Sequence, residues 1–449
     1  MRGEMGHMQH RRETLTPAEI YARRRAELIN QIGENDIVIV PTATEKPRNG
    51  DVIYQFRADS DFYYLSGFDE PEAVLVICPG RESGQYVLFC RERDPVREMW
   101  DGRRSGLEGA IARFGADDAF PIEDINDILP GMMEEKEKVF TTVGRYPEFD
   151  AQLLGWMKKI KEDTRRSTHA PYEFVDLNHI LHEQRLIKRA DEISLMRKAG
   201  RMTAAGHMRA MQVCKPGMYE YQIQAELECE FRKAGSQYNA YPSIVAGGEN
   251  ACILHYIENT DVLKDGDLLL IDAGAEYHCY ASDISRTFPV NGKFTGEQRT
   301  LYEIVLAAQQ SAFEKCAAGH GWNEHHDAAV RVIAQGLIDE GLLHGSLDEV
   351  LETQSYTQFY MHRTGHWLGM DVHDVGDYQV EGSWRELEPG MVFTVEPGIY
   401  VNPASGVDAR WHHIGIRIED NVLVRRDGFD NLTAAAPKSV DDIEALMAG

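Results

Sequence analysis

The sequence has no long hydrophobic run, no paired cysteine motif and too little positive charge to favour a nucleic acid as partner. Its longest apolar run is about Ala73 to Cys78, far below the roughly 18 residues that a membrane span needs. Lysine and arginine number 47 against 73 acidic residues, giving a formal charge of −26. Because such a charge repels phosphate backbones, we predict neither a membrane nor a nucleic acid as partner.

The seven cysteines are scattered and form no CxxC pair. A disulfide framework or a structural zinc site is therefore not expected, and a reducing compartment fits. The first dozen residues lack the apolar segment of a secretory signal and are predicted to form a disordered tail. These absences together predict a cytoplasmic protein.

The 449 residues, 43% apolar and 27% charged, exceed the size of one ordinary core and predict two globular domains. Turn-bounded apolar runs alternate with helical patterns, which indicates an α/β (α+β) fold. The polar stretch 158–174 is typical of a linker. We therefore predict an N-terminal mixed α/β domain over residues 13–180 and a C-terminal domain over residues 185–445.

Several elements are indicated by local signals. Thr16, Pro17 and Glu19 form a capping box that opens a helix, and Gly33 is expected to end it. Further strands and helices are predicted by runs and periodicity at 36–40, 73–78, 86–89, 191–213, 268–271, 298–316, 392–395 and 414–424.

The second half carries acids at the ends of apolar strands. Asp272 follows four aliphatic residues, and Asp283 comes eleven residues later, where a hairpin would return it beside Asp272. Glu396 ends a β-branched strand, and Glu419 alternates with isoleucines beside Arg417. Taken singly, each acid is explained as a turn cap or a salt bridge, with Arg417 neutralising Glu419.

Three histidines cluster between these acids. His362, His366 and His373 fall within twelve residues, interleaved with glycine and apolar side chains. The segment is not the HExxH zinc helix, because Arg363 occupies the glutamate position. A lone histidine is usually a hydrogen-bonded core group, but three together favour a site.

As a set, the four acids predict a metal centre. Converging carboxylates without a matching set of lysines repel one another, and two divalent cations would balance their charge. Oxygen-rich ligation with one imidazole favours Mn²⁺, with Co²⁺, Fe²⁺ or Zn²⁺ as substitutes. The predicted ligands are Asp272, Asp283, His366, Glu396 and Glu419.

The order and flanks of these residues resemble a known family, the creatinase/methionine-aminopeptidase or "pita-bread" fold, and within it bacterial aminopeptidase P. The resemblance is carried by AYPSIVAGGENACILHY (240–256), DAGAEYHCYASDISRTFPV (272–290), YMHRTGHWLGMDVHDVG (360–376), MVFTVEPGIY (391–400) and GIRIEDN (415–421). FRADSDFYYLSGFDEPEAVLVI (56–77) and EMWDGRRSG (98–106) are similar to that family's N-terminal domain.

The resemblance implies a role for each matching residue. Asp272 would bind one metal ion, His366 and Glu396 the other, and Asp283 and Glu419 would bridge both, with Glu396 also relaying a proton. His255 would lie near the substrate amine, His373 would contact the scissile carbonyl and His362 would line the proline pocket. Arg417 would pack against the metal-binding acids. For these last four residues, an ordinary buried and hydrogen-bonded structural role remains the alternative.

The implied activity is hydrolysis of the peptide bond between the first residue and a proline at position two. The resemblance also implies a cytoplasmic homodimer or homotetramer. Trp100 resembles a tryptophan that reaches into a neighbouring subunit's active site, and packing within its own domain is the alternative. Prolidase, which prefers dipeptides, is the nearest rival. A non-catalytic pita-bread binding protein is disfavoured because all five ligand positions are intact.

Overall fold

The computed structural model describes residues 16–162 and 168–449, and the chain divides into two compact units at Leu181 and His182. The N-terminal dozen residues, predicted to be a disordered tail, lie outside the described residues. Within the described part, no helix has the length and apolar character to cross a membrane. The mixed α/β class predicted from the sequence is confirmed in both units.

The first helix opens as its capping box predicts. The Thr16 hydroxyl accepts a hydrogen bond from the Glu19 amide, and the Glu19 carboxylate accepts one from the Thr16 amide at 2.6 Å. The helix ends at Ile29 rather than near Gly33. The Gly33 amide instead donates to the Asp36 carboxylate at 2.7 Å, so this glycine belongs to the turn into the first strand.

The first unit is built on one mixed six-stranded sheet. Its elements are α1 Pro17–Ile29, β1 Ile37–Pro41, β2 Pro47–Asn49, β3 Val52–Ile53, α2 Ser60–Ser66, β4 Val74–Ile77, β5 Tyr86–Cys90, α3 Pro95–Asp101, α4 Gly106–Phe114, β6 Asp118–Pro121, α5 Ile125–Met133, β7 Lys138–Thr141, α6 Pro147–Glu162 and β8 Glu173–Asp176. The strand order in the sheet is β6-β5-β4-β1-β7-β8, with β1 antiparallel to β4 and parallel to β7.

The predicted linker is partly structured. Residues 158–162 complete α6, and Glu173 and Phe174 pair with β7 as the edge strand β8. An edge strand tolerates polar residues because one of its sides is not covered by another strand, which explains why this stretch reads as a linker. Helix α7, Asn178–Leu186, crosses the division between the units.

The second unit consists of several short antiparallel sheets together with helices. Its elements are α8 Ala190–Val213, α9 Glu220–Lys233, β9 Tyr238–Asn239, β10 Ile244–Gly247, β11 Leu268–Ala273, β12 Ala275–Tyr277, β13 Tyr280–Ala281, β14 Ile284–Pro289, α10 Gly296–Phe313, α11 Glu324–Asp339, α12 Leu347–Thr353, β15 Gln379–Val380, β16 Ser383–Trp384, β17 Val392–Val395, β18 Gly398–Val401, β19 Ile414–Arg417, β20 Asp420–Arg425, β21 Gly428–Asn431 and α13 Val440–Ala448.

Three antiparallel pairs in this unit set the positions of the predicted site residues: β11 with β14, β17 with β20, and β18 with β19. The single strand predicted over 414–424 is in fact two strands, interrupted at Ile418 and Glu419. The Ile418 amide reaches the Pro397 carbonyl, and the Glu419 amide reaches the Ser285 carbonyl at 3.0 Å. The chain therefore changes sheets at Glu419.

Gly274 joins β11 to β12 where two backbones meet. A β-carbon added here would lie 1.7 Å from the Ser282 carbonyl oxygen. The hairpin that returns Asp283 toward Asp272 can therefore close only with glycine at this position.

We predict that Gly274→Ala destabilises the second unit by about 1–3 kcal/mol, the usual cost of overpacking. Chemical unfolding monitored by circular dichroism measures it. The control is Gly296→Ala at the start of α10, where nothing lies within 4 Å of the added carbon. Equal denaturant midpoints of unfolding for the two variants would contradict the steric argument.

Candidate metal centre

The nine residues predicted as metal ligands or catalytic residues all line one cavity of about 840 Å³ in the second unit. That volume is within the usual range for a small-molecule or peptide site. The nine are Asp272, Asp283, His366, Glu396, Glu419, His255, His362, His373 and Arg417.

The acids reach the cavity from the ends of paired strands. Asp272 lies on β11 opposite Ser285 of β14, and Asp283 immediately precedes β14. Glu396 follows β17, where its amide donates to the Thr364 carbonyl at 2.8 Å. Rigid strand ends hold such groups more firmly than free loops do.

His366 lies in a loop that runs beside β17 and is held there by hydrogen bonds to that strand. Its amide donates to the Thr394 hydroxyl at 3.1 Å, and the Thr394 amide donates to its carbonyl at 3.0 Å. Its Nδ1 lies 3.0 Å from the Trp367 carbonyl oxygen. With Nδ1 engaged there, Nε2 faces the acids.

The imidazole and the carboxylates are close enough to share an ion. His366 Nε2 lies 3.4 Å from Asp283 Oδ2 and 3.5 Å from Glu396 Oε1. Single ligand atoms of Asp283, His366 and Glu419 all lie within 4.8 Å of one another. Each of the three is buried or half-buried.

Asp272 is held by neutral and cationic donors. Arg417 Nη2 donates to Asp272 Oδ2 at 2.7 Å, and the Tyr241 hydroxyl donates to Asp272 Oδ1 at 2.6 Å. The same hydroxyl also contacts Asp283 Oδ1. Tyr241 thus joins the two aspartates that the hairpin brings together.

Arg417 does not pair directly with Glu419, which the sequence had left open. Its Nε donates to the Ser285 hydroxyl at 2.9 Å, and that hydroxyl donates to Glu419 Oε2 at 2.8 Å. The guanidinium is engaged with Asp272 instead, and within the described part of the chain no cationic side chain forms an ion pair with Glu419.

The cluster carries more negative charge than its one arginine offsets. Burial, reinforced by the neighbouring acids, raises the pKa of Glu396 to about 7 and holds the pKa of Glu419 well above its usual range. Burial alone would lower the pKa of His366, but the hydrogen bond that its ring donates to Asp283 and the charge of Glu396 raise this pKa to about 9.

These environments fit divalent ions. Buried carboxylates that otherwise retain protons, together with an imidazole aimed at them, form an oxygen-rich set with one nitrogen. The neutral donors Tyr241, Ser285 and Thr394 orient the acids without cancelling their charge. Such a set suits a hard or borderline dication.

The other three histidines surround this centre. His362 Nε2 lies 2.9 Å from the Tyr400 hydroxyl, and burial lowers its pKa to about 3, so its ring is neutral. The ring of His373 meets that of His366 edge-on with centroids 4.4 Å apart. His255 is exposed and lines the same cavity.

Sequence reasoning missed the residues that orient the acids. Tyr241, Ser285 and Thr394 touch them directly. Ser285 and Thr394 lie next to the acids in sequence, but serine and threonine are too common for adjacency to single them out. Tyr241 lies 31 residues before Asp272 and carries no such signal.

Comparison with known proteins matches the two units to two families. The model of metallopeptidase family M24 matches residues 194–426, and that of the aminopeptidase P N-terminal domain matches residues 21–140. A Haemophilus influenzae Xaa-Pro aminopeptidase is 44% identical over 96% of this chain and 97% of its own length. The chain belongs to metallopeptidase family M24. The family predicted from the sequence is thereby confirmed.

Solved structures of M24 members agree with this assignment. The Pseudomonas aeruginosa aminopeptidase PepP is 56% identical with a TM-score of 0.95, covering 96% of this chain and 98% of its own. An Escherichia coli aminopeptidase P, solved with the inhibitor Pro-Leu, is 42% identical, with a TM-score of 0.94, covering 97% of this chain and 99% of its own. The chain is a metal-dependent aminopeptidase with the pita-bread fold.

The loop that carries His373 is anchored by a buried ion cluster. Asp374 Oδ1 accepts from Arg185 at 2.7 Å and Oδ2 accepts from Lys188 at 2.9 Å. Burial alone would raise the pKa of Asp374, but these two cations lower it below its usual value. A β-carbon at Gly369 would lie 2.0 Å from Asp374 Oδ2, so the loop packs tightly on this carboxylate.

We predict that Lys188→Met destabilises the second unit by about 3 kcal/mol and lowers activity, because the buried negative charge of Asp374 is then balanced by Arg185 alone. A carboxylate whose pKa is lower in the folded than in the unfolded protein stabilises the fold at pH values above its unfolded pKa. That stabilisation is lost as the pH falls through the pKa of the folded state. The difference from wild type should therefore be full at pH 7 and narrow below about pH 4.

Urea unfolding across this pH range measures the effect. The control is Lys233→Met, which breaks an exposed pair with Glu230 and should change stability by less than about 0.5 kcal/mol. A pH-independent loss in Lys188→Met would point to packing instead of charge.

Proposed function

We propose that this M24 enzyme removes the first residue from peptides whose second residue is proline, using two divalent ions, with Mn²⁺ favoured over Co²⁺, Fe²⁺ or Zn²⁺. The observation that carries the proposal is the convergence of the four carboxylates and His366 on one cavity. Two relatives that match 96% and 95% of this chain bear the name Xaa-Pro aminopeptidase. Residues 13–180 and 185–445 would act as its N-terminal and catalytic domains.

The proposed ligands are the five predicted residues. Asp272 would hold one ion, His366 and Glu396 the other, and Asp283 and Glu419 would bridge them. When bound, the ions would supply Lewis-acid polarisation of the scissile carbonyl and ready deprotonation of water. Tyr241 and Arg417 would keep Asp272 oriented for this task.

Glu396 is the proposed proton carrier. Its Oε1 accepts from the Thr394 hydroxyl at 3.0 Å, and its backbone amide is bonded to Thr364, so the carboxylate is held in one orientation. Oε2 faces His362 Nδ1 at 3.9 Å. A carboxylate so held can take a proton from water and pass it to the leaving nitrogen.

The histidines would act on the substrate. His373, held by the Asp374 loop against His366, would donate to the developing oxyanion. His255 would lie near the substrate amine. Neutral His362, with Tyr400, would line the pocket for the proline ring, whose nitrogen carries no proton to bind.

Substrate length separates the proposed activity from its rival. Prolidase activity would favour X-Pro dipeptides, whereas the proposed enzyme should favour X-Pro-Y tripeptides. The names of the full-length relatives support the second reading.

We predict that the purified protein with Mn²⁺ releases free X from an X-Pro-Y tripeptide and that EDTA abolishes release. An Asp283→Ala variant should lose activity by at least about 10³-fold, since it removes a bridging ligand. Release of X by mass spectrometry and metal content by elemental analysis give the two readouts.

The matched control is Asp427→Ala, which removes an exposed acid in the turn between β20 and β21. It should keep both metal and activity. Full activity in Asp283→Ala would refute the mechanism, and faster cleavage of X-Pro than of X-Pro-Y would favour prolidase activity.

We further propose a cytoplasmic homodimer or homotetramer. All seven cysteines are free thiols, which suits a reducing compartment. Helix α3 buries none of its residues, and Trp100 is 83% exposed and Met99 78%. Trp100 therefore does not pack within its own domain, and large exposed apolar groups of this kind favour a subunit interface.

We predict that Trp100→Ala shifts the protein toward smaller species in sedimentation velocity, because the buried indole would be lost from the interface. Leu154→Ala is the control, as that side chain is 58% exposed on α6. A monomeric wild-type protein would contradict the proposed assembly.

A further inference from the structure

Arg363 is a cavity-lining cation without an acidic partner. It is exposed and lines the same cavity as the four carboxylates. Among the residues that the structure describes, no carboxylate forms an ion pair with it. The other arginine of the cavity, Arg417, is buried and engaged with Asp272 at 2.7 Å. Arg363 therefore has charge available for a ligand.

Its guanidinium is held in place by neutral contacts. Nη2 donates to Asn323 Oδ1, and Asn323 is itself fixed by Asp327, whose carboxylate accepts from its amide at 2.8 Å. The Arg363 Cζ lies 5.4 Å from the ring centroid of Trp384 on the β15–β16 hairpin. A guanidinium oriented by an aromatic face keeps its remaining N–H groups free for a planar anion.

The position of Arg363 matches the far end of a short peptide. It follows His362, whose ring nitrogen is 3.9 Å from Glu396. In an X-Pro-Y substrate, the bond to be cut lies between X and proline, beside the acids. The C-terminal carboxylate is two residues beyond that bond and therefore at most about 7 Å from it. An extended arginine side chain covers a comparable distance.

We propose that Arg363 binds the C-terminal carboxylate of short substrates, so that the enzyme prefers X-Pro-Y tripeptides ending in a free acid over the same peptides ending in an amide. The inference rests on the proposed function. The formal charge of −26 and the acid cluster would otherwise disfavour an anionic end. A fork of N–H donors suits a carboxylate in two-point contact.

The test compares Ala-Pro-Ala with its C-terminal amide as substrates of the Mn²⁺-loaded full-length enzyme. Wild type should show a KM for the acid about five- to tenfold lower than for the amide, with similar kcat, as expected for a partly exposed ion pair. Arg363→Gln should raise KM for the acid to the amide value and leave the amide kinetics unchanged. Arg363→Lys should keep part of the preference, and added salt should reduce it.

The control is Arg426→Gln, which removes the same charge from the exposed turn after β20 and should keep the full preference. Equal KM values for acid and amide in wild type would overturn the inference while leaving the proposed function intact. An equal loss of kcat/KM for the acid and the amide in Arg363→Gln would also overturn it, since that result would indicate a general structural role for Arg363. A wild-type enzyme that cleaves neither peptide would remove the proposed function and the inference with it.

Discussion

Four buried or half-buried carboxylates that lie beside one another impose the main constraint on the second unit. Among the described residues, Arg417 pairs with Asp272, and His366 lies 3.4 Å from Asp283 and 3.5 Å from Glu396, which together offset only part of this negative charge. Burial and mutual repulsion raise the pKa of Glu396 and Glu419, so without added positive charge the cluster retains protons. A fold that keeps such a cluster must hold the acids firmly. The neutral hydroxyls around them perform that task while preserving the negative charge that dications require.

Antiparallel pairing explains how residues far apart in sequence meet so closely. The hairpin between β11 and β14 brings Asp272 and Asp283 together, and the change of sheet at Glu419 sets that acid against Ser285. Close backbone approach at Gly274 and Gly365 leaves no room for side chains there. The geometry of the centre therefore depends on backbone contacts that any added carbon would disturb.

Local signals predicted much of this fold and site. The Thr16 capping box, the apolar strands and the acids that follow them rest on short-range chemistry, and the acids and histidines do line one cavity. The break at Ile418 and the partner of Arg417 could not be predicted, because the break depends on β14 and the partner lies on β11, both more than 100 residues earlier. Tyr241 escaped notice for the same reason, since only tertiary pairing joins it to both aspartates.

The charge in the cavity is unevenly distributed. Its acids gather where the strand ends converge, whereas Arg363 contacts Trp384 and Asn323 on other elements. A tripeptide carries a cation at one end and an anion at the other. If its amine turns toward the acids and ions, its carboxylate turns toward Arg363, and the two ends set both the direction and the length of the bound chain. On this argument, preference for short peptides would arise from charge placement as well as from the shape of the proline pocket.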